Sequence, residues 1–310
     1  MKGSSTVVSN KMFIKKIKEI RQNIQMMPDE KYEIKEIKIP LNKLDELKND
    51  TWVSSELVFD NLDYEVCVSW KKNNLYFKTT FQKFEKIKKR LNIFIKVMNY
   101  IQLHEEEKPI TIYYILSDLK KKIEKNTFIS PKHINSGYAD TLSNEIFIWR
   151  DEEFEKVSFH ELIHLFNKDH QDEHISLQVN VKGPKSFYEA ITDYKSVIYN
   201  IVYISLNVNI KIETIINDEL YFIHNQAKMI LNHLNNTKCT QKSPAYSYYV
   251  LKNKIFNYFT SDFAEKELFD DIFCKGKKFN KLVQIIKNDK MKETEFTDYN
   301  SARMTLYEME

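Results

Sequence analysis

Near the start of the chain, apolar residues recur at steps of three and four (Phe13, Ile14, Ile17, Ile20) in a polar, lysine-rich stretch, which predicts a first helix or an arm. The period then shortens to two, predicting strands around residues 32–39, 57–59, 64–70 and 75–79, with Asn73-Asn74 as a hairpin turn. Phe84, Ile87, Leu91, Phe94, Ile95, Met98 and Ile101 return to helical spacing and predict one amphipathic helix over 81–102, backing a sheet. Residues 110–116 and 145–149 read as strands, the second preceded by a turn-rich stretch at 140–144.

A helix is expected over about 151–168, opened by Asp151, Glu152 and Glu153, whose charge suits a helix N-terminus. After a polar loop containing Gly183-Pro184, further helices are expected at about 186–208, 211–235, 245–260, 263–273 and 279–289. From Met291 onward the sequence turns polar and is expected to fray. The order is strands and helices first and helices alone afterwards, an α+β class.

Composition narrows the function. Lys plus Arg (47) nearly balances Asp plus Glu (44), and the lysines are interspersed with glutamates, so nucleic-acid binding gains no support. The four glycines, Gly3, Gly137, Gly183 and Gly276, are too far apart for a phosphate-binding loop, which excludes Rossmann and P-loop readings. Cys67, Cys239 and Cys274 suggest neither a disulfide framework nor a zinc knuckle. With no signal-like or membrane-spanning apolar run, the expectation is a soluble, cytoplasmic protein without membrane partners.

The chemistry concentrates at Ser158-Phe159-His160-Glu161-Leu162-Ile163-His164-Leu165-Phe166, a His-Glu-x-x-His pattern inside the expected helix. At i and i+4 the two imidazoles share a face and can reach one metal ion, with Glu161 one residue round from His160. The surrounding Phe154, Val157, Phe159, Leu162, Ile163, Leu165 and Phe166 leave almost no other polar face, so the helix must be buried. Buried imidazoles and a buried carboxylate need partners, and a cation supplies one. Two core histidines satisfied by hydrogen bonds are the bland alternative.

A catalytic zinc site needs a third protein ligand. Glu189 is one candidate; Asp193, one turn further along, would then accept the spare N–H of a ligand histidine. Read blandly, Glu189, Asp193, Ser196 and Asn200 are the solvated face of an amphipathic helix. The rival ligand is His170, brought back by a turn at Asn167.

His160-Glu161-x-x-His164 followed by Glu189-x-x-x-Asp193 resembles the zincin metallopeptidases and, within them, the gluzincins. The resemblance implies one Zn2+ per chain held by His160, His164 and Glu189, with Glu161 as general base and Asp193 behind a ligand histidine, His160 being the expected one. It implies a twisted N-terminal sheet with a backing helix and an active-site helix, then a mainly α-helical subdomain. The corresponding divisions are 1–75 of unassigned role, 76–170, 171–290 and a polar tail at 291–310. A peptide or protein substrate would lie along an edge strand, which points to Gly137, Tyr138 and Ala139.

An oxyanion donor is expected from the helical half, among Tyr246, Tyr248, Tyr249, His224 and His233, with Tyr248 preferred. The metzincin pattern, with His170 as third ligand, is matched except for its glycine, replaced by Asn167, and no methionine-containing turn follows. A zincin-like binding or scaffold protein without turnover is the other alternative, although Glu161 is intact. Peptide deformylase shares the motif, but its cysteine ligand and glycine-rich motif are missing.

Overall fold

Three of the period-two segments, the two apolar runs at 110–116 and 145–149 and a short further strand pair into a sheet of six strands: β1 (Glu33–Glu36), β2 (Tyr64–Trp70), β3 (Asn73–Thr79), β4 (Thr111–Ser117), β5 (Gly137–Asp140) and β6 (Glu145–Arg150). Their order is β1-β2-β3-β4-β6-β5; β3, β4 and β6 run parallel, and β5 lies antiparallel to β6 at an edge. The computed structural model describes residues 10–51, 53, 57, 61–103, 108–124, 127–166, 181–238, 240–274, 279–288 and 301–309. Of the strand expected at 57–59, Leu57 is described and is not in a strand, and the other two residues lie outside the described set.

The turn between β2 and β3 is Lys71-Lys72 rather than Asn73-Asn74, since Trp70 already pairs with Asn73. Lys71 takes the left-handed conformation (φ 52°). The asparagines are used in side-chain bonds instead: Asn73 accepts from the Ile110 N–H at 3.1 Å and Asn74 from the Ser69 hydroxyl at 2.8 Å.

The N-terminal apolar stripe forms helix α1 (Lys11–Met26), which buries Phe13, Ile17, Ile20 and Ile24 in the main core. A helix that the periodicity did not predict, α2 (Leu41–Asn49), covers one sheet face with Leu44 and Leu47 beside Tyr113, Phe147 and Trp149. The helix expected over 81–102 is broken into α3 (Phe81–Lys88) and α4 (Leu91–Gln102). The break falls at Arg90, which is non-helical and whose guanidinium reaches the buried Glu155 carboxylate at 2.8 and 2.9 Å.

The short helix α5 (Pro131–Ile134) precedes β5, and α6 (Phe154–Leu165) follows β6 on the sheet face opposite α2. The helical half contains α7 (Phe187–Asn207), α8 (Ile212–Asn236), a π-helical turn at Tyr246–Leu251, α9 (Lys252–Thr260), α10 (Lys266–Cys274) and α11 (Phe279–Asn288). Among the described residues, no helix is long and apolar enough to cross a membrane.

The expectation of a frayed C-terminal tail is corrected over 301–309. Ala302 and Thr305 are completely buried, and Glu153 accepts hydrogen bonds from the Met304 and Thr305 N–H groups at 2.5 and 2.6 Å. Polar side chains reaching out from the core satisfy this irregular backbone, so it has no need of a helix or strand of its own. Glu153, expected in the first turn of α6, serves here as its N-cap residue in the left-handed conformation (φ 61°).

Candidate metal centre

Every residue of α6 from Phe154 to Ile163 is buried, as the sequence requires of so apolar a helix. Three polar contacts help fix its position: the Ser158 and Tyr114 hydroxyls meet at 3.0 Å, and Glu155 accepts from the Arg90 guanidinium and the Tyr203 hydroxyl. Each large apolar side chain buried here contributes roughly 1.5–3 kcal/mol, so the motif rests on a rigid support.

His160 and His164 lie one turn apart with Nε2 atoms 3.0 Å from each other. Helix α7 packs across α6 and brings Glu189 to them, its Oε2 lying 3.4 Å from His160 Nε2 and 3.3 Å from His164 Nε2. The ligating atoms of His160, His164 and Glu189 all fall within 4.8 Å of one another. Glu189 Oε2 is buried, faces both imidazoles and makes no hydrogen bond, a donor set that fits a divalent cation. Burial pushes the Glu189 carboxyl up, but the His164 and His160 imidazoles outweigh it and hold the group well below the usual carboxylate range.

Asp193 lies behind the cluster, with Oδ1 3.2 Å from His160 Nδ1. It is fully buried, and Lys156 and Lys252 also contact its carboxylate. Burial raises its affinity for a proton, but the two ammonium groups and His160 reverse this and keep the carboxyl well below its ordinary value. The face carrying Glu189, Asp193, Ser196 and Asn200 is therefore no solvated stripe: Asp193, Ser196 and Asn200 are buried and Glu189 is half-buried.

His160, His164, Glu189 and Asp193 line a cavity of about 240 Å3 with Glu161, Tyr248 and residues of β5 around it. Burial raises the Glu161 carboxyl, with His160 and His164 acting against the rise, so its proton affinity exceeds that of an exposed glutamate. Of the five residues proposed as oxyanion donors, Tyr248 lines the cavity, its ring 5.9 Å from that of His160. Burial, then Glu189, Glu161 and Asp193, hold its phenol protonated far above the usual range. The π-helical turn separates Tyr248 from Tyr249, whose hydroxyl donates to the Ala302 carbonyl instead. His233 is committed to the Thr127 carbonyl and His224 to Asn253.

Gly137, Tyr138 and Ala139 all border the cavity. A Cβ on Gly137 would lie 2.9 Å from Val157 Cγ1 and 3.0 Å from the Phe147 carbonyl, so this glycine serves the close approach of β5 to α6 and β6. The Tyr138 ring stacks on Phe147 at 5.1 Å in the cluster beneath α2, on the other side of the sheet from α6. His170 and Asn167, on which the metzincin alternative depends, lie outside the described residues.

Sequence reasoning missed Lys156, Lys252 and Met304. Lys156 had a signal, since it stands one turn before His160 on the same face of a helix that has to be buried, and so needed a partner. Met304 had none, because its segment shows no period. Comparison with known proteins finds no matching family model, no matching curated protein and no matching solved structure.

Proposed function

We propose that the chain is a metal-dependent hydrolase of the zincin type, with α6 as the active-site helix. More particularly, it is read as a gluzincin-like zinc metallopeptidase that cleaves peptide bonds. The observation that carries this reading is the convergence of His160, His164 and Glu189 at one point on a cavity wall that also holds Glu161.

Bound zinc would supply Lewis acidity, making a water acidic near neutral pH and polarising the peptide carbonyl. Glu161 takes a proton from the attacking water and returns it to the leaving amine, a task suited to a carboxylate whose proton affinity is raised by burial. Tyr248, protonated and facing the cavity, donates to the oxygen on which negative charge develops. Among the described residues β5 is an edge strand, and its outer edge would offer main-chain groups to an extended peptide.

The test pairs elemental analysis with cleavage of a mixed peptide library. Wild-type protein should carry one zinc and cleave peptides, and Glu161→Gln should keep the zinc and lose at least about 100-fold in rate. Zinc binding without cleavage of any peptide would leave a binding protein, and full activity in Glu161→Gln would remove the general base.

A further inference from the structure

Both oxygens of Asp193 are occupied by lysines from different parts of the fold. Lys156, on α6 one turn before His160, meets Oδ1, while Lys252, at the start of α9, lies 2.7 Å from Oδ2. Both ammonium groups also reach Met304: Lys252 donates to its carbonyl at 2.9 Å, and Lys156 lies 3.5 Å from its sulfur. The Met304 N–H donates to Glu153, and Met304 borders the cavity. All four side chains are at least nine-tenths buried.

A buried ion network of this kind is a poor way to stabilise a core, because apolar residues of similar volume often do as well or better. What it does supply is orientation. A carboxylate bonded to an imidazole alone can rotate about its side-chain torsions. With the Lys156 ammonium hydrogen-bonded to Oδ1 and the Lys252 ammonium ion-paired with Oδ2, the plane of the group is held from both sides, and Oδ1 stays opposite His160 Nδ1 at 3.2 Å.

We propose that Lys156 and Lys252, both anchored on Met304, are positioning residues that lock the Asp193 carboxylate, and through it the His160 ring, and so set how tightly the site holds a dication. The 301–309 segment thereby becomes part of the metal centre's support. The inference rests on the metal-site reading above and goes beyond it in naming what holds the residue behind the ligand.

The experiment is a double-mutant cycle on Zn2+ affinity, measured by competition with a chromophoric chelator, in wild type, Lys252→Met, Asp193→Asn and the double variant. Lys252→Met should weaken zinc binding about 10- to 100-fold, as should Asp193→Asn, and the double variant should bind no worse than Asp193→Asn alone. A purely structural lysine would lower the unfolding midpoint of the metal-free protein and leave zinc affinity within about twofold of wild type, overturning the proposal. Independent, multiplying losses in the double variant would overturn it too. If Lys252→Met does not fold, Lys252→Gln, which keeps a donor toward Met304 without the charge, enters the same cycle. A wild-type protein that binds no zinc would instead sink the metal-site reading, an outcome distinct from a wild type that binds zinc and a Lys252 variant that binds it equally well.

Discussion

Glu189 and Asp193, one turn apart on α7, address the two nitrogens of a single imidazole: Glu189 Oε2 lies 3.4 Å from His160 Nε2, and Asp193 Oδ1 lies 3.2 Å from His160 Nδ1. One helix thus presents a carboxylate to the side of the ring that faces His164 and another to its back. The i, i+4 spacing on α7 matches the i, i+4 spacing of the histidines on α6, and the packing of the two helices sets them face to face.

That arrangement makes Glu189 the residue whose loss should empty the centre. Glu189→Ala is expected to lower zinc affinity by more than about 100-fold while the protein stays folded, because the side chain is half-buried and leaves no apolar cavity. Elemental analysis after dialysis, alongside circular dichroism, checks it. Retention of a full equivalent of zinc would move the third ligand elsewhere, with His170 next in line.

Tyr248 gives a kinetic prediction. Tyr248→Phe keeps the ring against His160 and removes only the hydroxyl, which also bonds the Glu189 carboxylate, so the protein should stay folded and KM should change little. kcat is expected to fall about 100-fold, the usual loss when one oxyanion donor is removed. Unchanged kcat would leave Tyr248 as cavity lining only.

At Gly137 the expected effect falls on stability. The Cβ of Gly137→Ala would press on Val157 and on the Phe147 carbonyl, which is backbone and cannot swing aside. The variant should lose about 1–3 kcal/mol in urea unfolding. A wild-type midpoint would show that β5 is free to move away from α6.

Glu219 predicts a pH dependence. It is fully buried on α8 and accepts from the Leu306 N–H; burial pushes its carboxyl from 4.5 up to about 7, against the opposing pull of Thr305, Leu306 and Lys252. Between those values the folded chain holds a proton that the unfolded chain has released, so the contribution of Glu219 to stability is fully present below 4.5 and declines as pH rises through 7. Glu219→Gln stays neutral throughout. Its stability relative to wild type should therefore grow across that window, by up to roughly 3 kcal/mol at pH 8. Denaturation midpoints of both proteins at pH 5 and pH 8 measure the difference, and a constant difference would rule out titration of Glu219.

Several features were legible in the sequence because they depend on short-range geometry. The 3.6-residue period placed α6, α7 and α8 within a few residues of their observed ends, alternation placed β2 and β3, and β-rich apolar runs placed β4 and β6. The same period put His160 and His164 on one face and Glu189 and Asp193 on another, whatever the rest of the chain did. The near-absence of a polar face on α6 required it to be buried, and it is.

Tertiary structure decided everything that joins distant segments. It set the hairpin turn at Lys71-Lys72, since side chains from β2 and residue 110 claimed the asparagines. It broke the helix at Arg90 to pair with Glu155, and turned Tyr138 away from α6. It also drew the aperiodic segment around Met304 into the wall of the cavity. Local periodicity fixes which face a side chain occupies, but which faces meet depends on how whole apolar surfaces pack. A segment that takes its hydrogen bonds from other parts of the chain carries no period of its own.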